Sequence, residues 1–399
     1  MKTFDSSRFF YQNSGKGIVR TPEELAQEMI SKIPEYIFES NTTTFLDPAC
    51  GRGTFLIQIT KKLKSYGHSW ENITSRIFGI DIDPFSGIKQ AQYILGSKNI
   101  VVQDFLEMSF PENWPTDFNV ILGNPPYSGL DIKFIEKSIR ISKDHILFVH
   151  PSTTYINKKD EVIGSNKDSI KSRIEDKIKY ISLFNGNRVF DISAKYPVSV
   201  VHLDMKKKGG NFIFEDKLKK ESHSISSISD ISVFGFDRGF NQFRNHITEI
   251  LKSKGSLNST SSLSKNNPGK GNFFVQTSVM AGHEIRKEDA KCFYKYDFFV
   301  LVNSPSMEVK TGTPKKGWIY WRFETREQAE NFLSYISSNF VRACLATVKF
   351  NQNLHRGELK SIPLVDFNQK WNDEKIYSHF NISDNMIDSI ERNILPYYG

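Results

Sequence analysis

Residues 44–55 read Thr-Phe-Leu-Asp-Pro-Ala-Cys-Gly-Arg-Gly-Thr-Phe, a stretch that joins a predicted strand to a predicted helix. The segment Thr44–Leu46, directly before the acid and the proline, predicts a short strand. Gly51 and Gly53 then permit a tight turn, and Phe55–Leu63 carries a helical pattern. Glycines let a ligand approach the backbone, and the helix start offers partial positive charge. The stretch therefore predicts a strand–turn–helix unit that binds a nucleotide-like ligand.

The turn has plainer interpretations that the sequence leaves open. It is not a phosphate-binding loop, because no Gly-Lys-Ser or Gly-Lys-Thr follows it. Asp47 can instead cap the following helix, since aspartate is a favoured N-cap residue. Cys50 is most simply a small buried residue beside the turn, because nothing near it in sequence would activate a thiol.

Short apolar runs alternate with helical patterns over the first half of the chain. Strands that alternate with helices predict βαβ units and a parallel sheet, which places the chain in the α/β class. The runs that predict strands are Ile77–Ile82, Ile100–Val102, Asn119–Leu122, Ile146–Val149, Tyr180–Phe184 and Val198–Leu203. We expect the last of them to pair with its neighbour as an antiparallel edge hairpin.

Two further acidic residues end predicted strands. Asp81 comes just before Ile82 at the end of one strand, and Asp104 precedes Phe105 after the next. Because ligands of such sheets bind at the carboxyl ends of the strands, these side chains are expected at one site. Asp81 can accept both ribose hydroxyls of an adenosine, and Asp104 can accept from an adenine amine while Phe105 packs on the ring. Each acid taken alone is also explained as a helix N-cap.

The most specific feature is the tetrad Asn124-Pro125-Pro126-Tyr127, which follows an apolar strand. Two prolines directly after a buried strand must end it, and each proline fixes its own φ. The result is a stiff shelf on which the side-chain carbonyl of Asn124 and the backbone carbonyl of Pro125 can face one amine. Pro126 brings no competing N–H, and Tyr127 can stack on a base. A plain Pro-Pro turn is the alternative.

The shelf suits one kind of chemistry. An amine attached to an aromatic ring is a poor nucleophile, because its lone pair is delocalised into the ring. Two acceptors fixed on its hydrogens draw the amine toward tetrahedral geometry and localise the lone pair. The amine can then attack a sulfonium methyl group in line, by orientation and preorganised electrostatics rather than covalent catalysis.

The chain resembles the DNA adenine-N6 methyltransferases with the gamma order of motifs, which include type II modification enzymes and Eco57I-like methylases. The resemblance covers roughly residues 15–205 and rests on segments in the family's order, namely Thr21-Pro22, Asp47–Gly53, Asp81, Asp104-Phe105 and Asn124–Tyr127. It implies a Rossmann-like class I methyltransferase sheet followed by a C-terminal α+β target-recognition domain. A change of composition near 206–211 places the catalytic domain at 1–215 and the target-recognition domain at 216–399.

The resemblance implies that the cofactor is S-adenosyl-L-methionine, and it assigns roles residue by residue. The implied cofactor-binding residues are Thr21, Asp47, Pro48, Ala49, Cys50, Gly51, Gly53, Asp81, Ile82, Asp104, Phe105 and Asn124, and the implied catalytic residues are Asn124, Pro125, Pro126, Tyr127 and Phe190. Thr21 and Glu24 also fit a capping box with Pro22 at the first helical position. Phe190 is implied as the second aromatic wall for a flipped adenine, with Tyr196 as its rival and a core position as the plain alternative.

Charge favours a polyanionic partner in the second half of the chain. The 399 residues carry a formal net charge of +8. Residues 221–360 contain 19 lysines and arginines against 13 aspartates and glutamates, whereas residues 361–399 contain 3 against 6. Basic and aromatic residues alternate in the basic part, which suits phosphate and base contacts. The predicted partner is double-stranded DNA, although a solvated surface explains the charge equally well.

Cysteine and hydropathy patterns exclude several classes of protein. Cys50, Cys292 and Cys344 lie far apart, which excludes a disulfide framework and a CxxC metal site. The histidines are scattered, so no metal site is predicted. No apolar run is long enough to span a membrane, and the polar start of the chain does not resemble a signal peptide. We expect a cytoplasmic protein, monomeric or weakly dimeric, that acts beside a separate cognate restriction enzyme.

Two rival functions remain open at this point. The same tetrad type occurs in glutamine-N5 protein methyltransferases and in some RNA methyltransferases, because they also activate an amide or ring-bound amine. Those chains usually lack a large basic C-terminal region. The other rival is an inactive methyltransferase fold that serves only as a DNA-specificity module. Cytosine-C5 chemistry is excluded because no cysteine follows a proline pair, and Asn124 at the first tetrad position favours adenine over cytosine N4.

Overall fold

The computed structural model describes residues 20–85, 87–127, 129–156, 170–190, 197–232, 234–257, 271, 273–280, 291–292, 300–301, 309–311, 318–348 and 357–394. The chain divides into two compact units. One comprises Met1–Lys143 with Arg188–Ile192, and the other comprises Asp144–Asn187 with Ser193–Gly399. Within the described ranges, no helix combines the length and apolar character needed to cross a membrane.

The first unit is an α/β structure in which parallel strands alternate with helices. The strand order is β3-β2-β1-β4, and β1 pairs in parallel with β2 and β4 while β2 pairs in parallel with β3. The elements are α1 (Glu23–Ser31), α2 (Glu35–Glu39), β1 (Phe45–Asp47), α3 (Thr54–Ser65), α4 (Trp70–Arg76), β2 (Ile77–Asp81), α5 (Ile88–Leu95), β3 (Ile100–Val102), β4 (Phe118–Gly123) and α6 (Leu130–Ile141).

Continuous apolar runs explain why these strands lie in the interior. Val120, Ile121 and Leu122 of β4 are fully buried, as expected for parallel strands covered on both faces. In β1, Phe45 lies opposite Ile77 on one side and opposite Val120 on the other. Because the strands run in the same direction, their carboxyl ends lie at one edge of the sheet. This edge carries the residues predicted to bind the cofactor and the target.

The second unit begins with a group of strands in the order β5-β7-β6-β8-β9. These are β5 (Ser142–Pro151), β6 (Ile178–Asn185), β7 (Pro197–Asp204), β8 (Phe212–Asp216) and β9 (Glu221–Ile225). The strand predicted at Val198–Leu203 is antiparallel to β5 and to β6, as expected. Its predicted edge position is wrong, because β7 has a partner on each side and is buried from Pro197 to Leu203.

These strand arrangements identify the fold class. A parallel series in the order β3-β2-β1-β4, and an antiparallel strand β7 between β5 and β6, are the features of a Rossmann-like class I methyltransferase sheet. The predicted α/β fold class is confirmed. The predicted boundary between residues 215 and 216 falls inside β8. The division of function between residues 1–215 and 216–399 stays a prediction.

The rest of the second unit mixes helices with small antiparallel sheets. The remaining elements, of which α9 ends in the first unit, are α7 (Thr153–Ile156), α8 (Ile170–Ile174), α9 (Gly186–Val189), β10 (Ile231–Ser232), β11 (Gly235–Phe236), α10 (Arg238–Lys254), β12 (Phe273–Met280), β13 (Lys291–Cys292), β14 (Val300–Leu301), β15 (Lys310–Thr311), β16 (Trp318–Phe323), α11 (Arg326–Ile336), α12 (Asn339–Ala346), α13 (Asp373–His379) and α14 (Asp384–Asn393). The segment 326–346 forms two helices rather than one, because the Ser338 side chain caps α12 by accepting from the Val341 N–H.

Candidate active site

The glycine turn between β1 and α3 is held by backbone hydrogen bonds. The N–H of Cys50 donates to the carbonyl of Ile80 over 2.9 Å, and the N–H of Gly53 donates to the carbonyl of Cys50 over 2.7 Å. Gly51 has a φ of 48° and Gly53 a φ of 79°, the left-handed region that side chains disfavour. A Cβ on Gly53 would also lie 2.8 Å from the Cβ of Ala91. The turn therefore needs glycine at position 53 for its conformation and for the approach of α5.

Asp81 holds two loops at the end of β2. Its Oδ2 accepts from the N–H of Gly51 over 2.7 Å, and its Oδ1 accepts from the N–H of Asp83 over 2.9 Å. The neighbouring Ile82 side chain is 66 % exposed. The sequence predicts Asp81 as a ribose ligand but gives no sign of its bond to Gly51, 30 residues away. The carboxylate thus fixes the glycine turn as well as the loop that follows its own strand.

Asp47 is a buried carboxyl group at the end of β1. It is 1 % exposed, and its Oδ1 accepts from the N–H of Ala49 over 3.1 Å. Burial raises the pKa of Asp47 well above its usual value; the Ala49 hydrogen bond opposes this change and the charge of Asp81 adds to it. The alternative role as a cap for α3 is wrong, because the N-cap of that helix is Gly53 and no side chain caps it.

Gly123, the last residue of β4, makes room for the Asp47 carboxylate. A Cβ on Gly123 would lie 2.7 Å from Oδ1 of Asp47, which is too close for any side chain. The residue before the tetrad must therefore be glycine if the Asp47 carboxylate is to keep its position. Sequence reasoning missed this requirement, because the two residues are distant in sequence and only the pairing of β1 with β4 brings them together.

The tetrad lies directly after β4, and its first residue, Asn124, is hydrogen bonded to Thr21. Asn124 and Tyr127 are half-buried, Pro125 is buried and Pro126 is exposed. The Tyr127 hydroxyl donates to Oδ1 of Asn124 over 3.0 Å. The Nδ2 of Asn124 donates to Oγ1 of Thr21 over 3.4 Å, across 103 residues of sequence. The structure therefore brings the predicted cofactor residue Thr21 to the predicted catalytic residue Asn124.

The capping box predicted at Thr21–Glu24 is wrong. The N-cap of α1 is Pro22, and no side chain caps this helix. The Thr21 hydroxyl accepts from Asn124 instead. The Glu23 carboxylate accepts from the side-chain amide of Gln58 on α3 over 3.1 Å. Contacts with neighbouring elements thus replace the local pattern that the sequence suggested.

The segment after β3 forms a compact turn around Asp104. Oδ1 of Asp104 accepts from the N–H of Leu106 over 2.8 Å, and the carbonyl of Asp104 accepts from the N–H of Met108 over 2.9 Å. Phe105 is 1 % exposed and packs on Phe134 of α6, with ring centroids 5.1 Å apart. The proposed role of Phe105 against the cofactor's adenine stays a prediction. The Asp104 side chain lies at the carboxyl end of β3, where the sequence placed it.

Phe190 is 2 % exposed and groups with the first unit, which also contains the tetrad. Its rival Tyr196 lies outside the described residues, so the choice between them stays a prediction.

Burial raises the pKa of the Cys50 thiol well above its usual value, and the carboxylates of Asp47 and Asp81 raise it further. Cys50 is thus a neutral buried thiol, in line with the plainer of its sequence interpretations.

Sequence reasoning also missed Lys137, which lies on α6. Its ammonium group donates to backbone carbonyls of the turn that follows Asp104. The only sequence signal is a lysine three residues after the core residue Phe134 on an amphipathic helix, and a solvated lysine gives the same signal.

Comparison with known proteins supports the resemblance seen in the sequence. Residues 8–161 match the family described as N-6 DNA Methylase, a span that includes the glycine turn, the acidic strand ends and the tetrad. The predicted resemblance to DNA adenine-N6 methyltransferases is confirmed over this part of the chain. The gamma motif order and the Eco57I-like subgroup stay predictions.

Individual relatives cover only parts of the sequence. The chain is similar to the type II methyltransferase M.VspI of Vibrio sp. (strain 343), with 28% identity over 121 residues, 29% of this chain and 26% of that protein. It thus spans about a quarter of the length of this curated relative. A methyltransferase subunit of a type I restriction-modification system from Streptococcus thermophilus has 16% identity and a TM-score of 0.39, and the similarity covers 54% of this chain and 50% of that one. The EcoKI M protein of a type I restriction enzyme has 14% identity and a TM-score of 0.37, and the similarity covers 49% of this chain and 48% of that one.

Proposed function

We propose that this chain, whose residues 8–161 match the N-6 DNA methylase family, is a site-specific, adenine-specific DNA methyltransferase. It transfers a methyl group from S-adenosyl-L-methionine to N6 of a flipped adenine in double-stranded DNA. The observation that carries this proposal is the position of Asn124, directly beyond the buried strand β4 and hydrogen bonded to Thr21. Pro125 and Pro126 fix the backbone at that point.

The residues at the sheet edge fit S-adenosyl-L-methionine. Asp47 is a buried carboxyl group, and a cationic partner such as the cofactor's ammonium group would stabilise its ionised form. Gly51 and Gly53 keep the neighbouring turn free of side chains, and Asp81 and Asp104 supply acceptors for the ribose and the adenine amine. When bound, the cofactor supplies an electrophilic methyl group on a positively charged sulfur.

The chain's own residues prepare the target amine. The Oδ1 of Asn124 and the carbonyl oxygen of Pro125 accept hydrogen bonds from the two N–H groups of the amine, so the nitrogen lone pair points away from the ring plane. Pro126 contributes no N–H that would compete for these acceptors. Tyr127 stacks on the flipped base, and Phe190 is the proposed second wall. These groups orient and polarise the amine, and none of them forms a covalent bond with it.

The partner assignments belong to the same proposal. Double-stranded DNA fits the basic composition of residues 221–360, and we assign target recognition to residues 216–399 and catalysis to residues 1–215. Most lysines and arginines near residues 265–316 lie outside the described part of the chain. A cytoplasmic location, a monomeric or weakly dimeric state and a separate cognate restriction enzyme complete the proposal.

To test the proposal, the gene is expressed in a host that lacks DNA methylation, and the genomic DNA is sequenced with modification detection. The wild-type chain should mark adenines in one short sequence context. The Asn124→Ala variant should lose methylation by at least about 100-fold, because the amine loses one of its two acceptors. It should still bind S-adenosylhomocysteine, since the cofactor contacts lie mainly on other strands. Asn211→Ala, at an exposed position in the second unit, is the matched control.

Each other outcome counts against the proposal in a specific way. Asn124→Ala with wild-type methylation would refute the role of the tetrad. A wild-type chain that binds no S-adenosylhomocysteine would favour the alternative of a DNA-specificity module. Methylated RNA or methylated glutamine, with unmodified DNA, would favour the rival methyltransferase classes.

A further inference from the structure

Lys137 holds the turn that carries Asp104. Its Nζ donates to the carbonyl oxygens of Phe105, Leu106 and Met108 over 2.5, 3.3 and 2.9 Å. An ammonium group has three hydrogens, so these contacts use its full donor capacity. The same Nζ lies 5.0 Å from the centre of the Phe105 ring. One side chain therefore fixes three carbonyls within a single short segment.

One of these contacts acts on Asp104 through a shared peptide group. The carbonyl of Phe105 accepts from Lys137, and the N–H of the same peptide, which belongs to Leu106, donates to Oδ1 of Asp104. A cation on the oxygen of a peptide polarises its N–H and strengthens the bond that the N–H donates. Lys137 therefore both orients this peptide and tightens its hold on the Asp104 carboxylate.

The electrostatics of the cluster agree with this arrangement. Partial burial lowers the pKa of Lys137, while the carboxylates of Asp104 and Glu107 oppose that change. The Asp104 charge thus lies within reach of the ammonium group. Within the described part of the chain, Oδ1 of Asp104 is held by Leu106, and no hydrogen bond to Oδ2 is found. The second oxygen is available to a ligand.

Lys137 connects this turn to the helix that follows the tetrad in sequence. The helix α6 begins at Leu130, three residues after Tyr127, and Lys137 lies seven residues further along. A helix rises by about 1.5 Å per residue, so Lys137 lies about 10 Å along α6 from its first residue. Its three hydrogen bonds thus hold the turn after β3 against α6.

We propose that Lys137 is a positioning residue for the cofactor's adenine: it fixes the turn at 104–108 so that Oδ2 of Asp104 meets the exocyclic amine of the purine. The inference rests on the proposed function, because it takes S-adenosyl-L-methionine as the ligand. Lys137 does not touch the ligand itself, and it acts through the Phe105–Leu106 peptide. Its effect therefore concerns which purine is accepted rather than the rate of methyl transfer.

The experiment measures by calorimetry the affinities of S-adenosylhomocysteine and of its 6-deamino analogue, in which hydrogen replaces the exocyclic amine. The wild-type chain should prefer the amine by about 10- to 100-fold, as expected for a hydrogen bond to a charged group. Lys137→Met should reduce this preference to about threefold or less while its affinity for the deamino analogue changes little. Lys137→Arg should recover most of the preference, since a guanidinium also donates to several carbonyls. Lys133→Met, at an exposed position on the same helix, should behave as wild type.

Each outcome decides between the inference and the proposed function. A folded Lys137→Met chain that keeps the wild-type preference would overturn the inference and leave the function standing. If that variant does not fold, Lys137→Gln replaces it, since a glutamine amide can donate to only two carbonyls. An unchanged preference for the amine in Lys137→Gln would also overturn the inference. A wild-type chain that binds neither nucleoside would overturn the proposed function and this inference with it. Equal losses for both ligands would show a purely structural lysine, which also overturns the inference.

Discussion

Tyr127 donates its hydroxyl hydrogen to Oδ1 of Asn124 over 3.0 Å. The proposed reaction assigns that same oxygen to the target amine. The tetrad's own phenol therefore competes for the acceptor, and the base must take its place. Because Asn124 also donates to Thr21, its amide is held from the other end and keeps its orientation when the phenol leaves. The two hydrogen bonds thus hold the Asn124 amide in one orientation.

The first prediction separates the ring of Tyr127 from its hydroxyl. Tyr127→Phe should keep kcat/KM within about tenfold of wild type, since a single hydrogen bond contributes about 1 kcal/mol. Tyr127→Ala should lose about 10- to 100-fold more, because stacking on a base contributes about 1–3 kcal/mol. Steady-state methylation of a DNA duplex checks both values. Equal losses in the two variants would show that stacking is not the role of the ring.

A second prediction concerns the glycine turn. Gly53→Ala should lower the free energy of unfolding by about 2–4 kcal/mol, because a left-handed φ and a close contact with Ala91 add together. Gly67→Ala is the matched control, since Gly67 has a φ of 85° but no atom within 4 Å of its added Cβ. That variant should lose only about 1 kcal/mol. Urea denaturation of both variants measures the difference, and similar losses would remove the close contact from the explanation.

Cofactor affinity should depend on pH through Asp47. Burial raises the pKa of this carboxyl. As the pH is lowered, Asp47 therefore becomes protonated at a higher pH than an exposed aspartate does. Only the ionised form attracts an ammonium group by its charge, so the affinity for S-adenosylhomocysteine should fall as the pH is lowered through the raised pKa. In the chain without cofactor, stability depends on pH in the opposite direction. The free energy of unfolding is higher while Asp47 is protonated, and this contribution is lost as the pH rises through the folded-state pKa.

Asp47→Asn gives the control for this dependence. The variant should bind more weakly than wild type near pH 8, because the neutral amide lacks the charge. It should also lose most of the change in affinity with pH. Calorimetric titrations across the range supply both numbers, and the same pH profile in both proteins would assign the dependence to another group.

A fourth prediction concerns stability in acid and rests on Asp237, the N-cap of α10. Burial raises the pKa of this carboxyl, but hydrogen bonds from the Phe240 N–H, Asn393 and Ser389, together with the charge of Arg392, lower it below its usual value. With the folded-state pKa lowered, the stabilisation is complete above the unfolded-state pKa of Asp. It is lost as pH falls through the folded-state pKa.

Asp237→Asn should therefore cost about 2 kcal/mol at neutral pH, because an amide places a donor against the Asn393 amide. The variant should also lose less stability than wild type when the pH is lowered below about 4. Asp384→Asn changes an exposed aspartate on α14 and serves as the control. Chemical denaturation at both pH values tests the prediction, which fails if the two variants behave alike.

The sequence alone determined the parallel strands of the first unit, the glycine turn and the tetrad. These features depend on residues close together in the chain: apolar runs, glycines that permit a left-handed φ, and prolines that end a strand. The hydrogen bond from Tyr127 to Asn124 spans only three residues, yet the sequence did not predict it. The strand pattern also placed Asp47, Asp81 and Asp104 at the ends of strands, and the family resemblance assigned roles to them.

Contacts between distant segments depend on how the strands and helices pack together. The bond from Gly51 to Asp81, the room that Gly123 leaves for Asp47 and the contacts of Lys137 all join residues at least 29 positions apart. The tertiary structure also overturned the capping box at Thr21 and moved β7 from the edge to a position between two strands. Strand order and register set these distances, and neither is encoded by residue types over a short window. Local patterns fix which element forms, whereas the packing of the elements fixes which side chains meet.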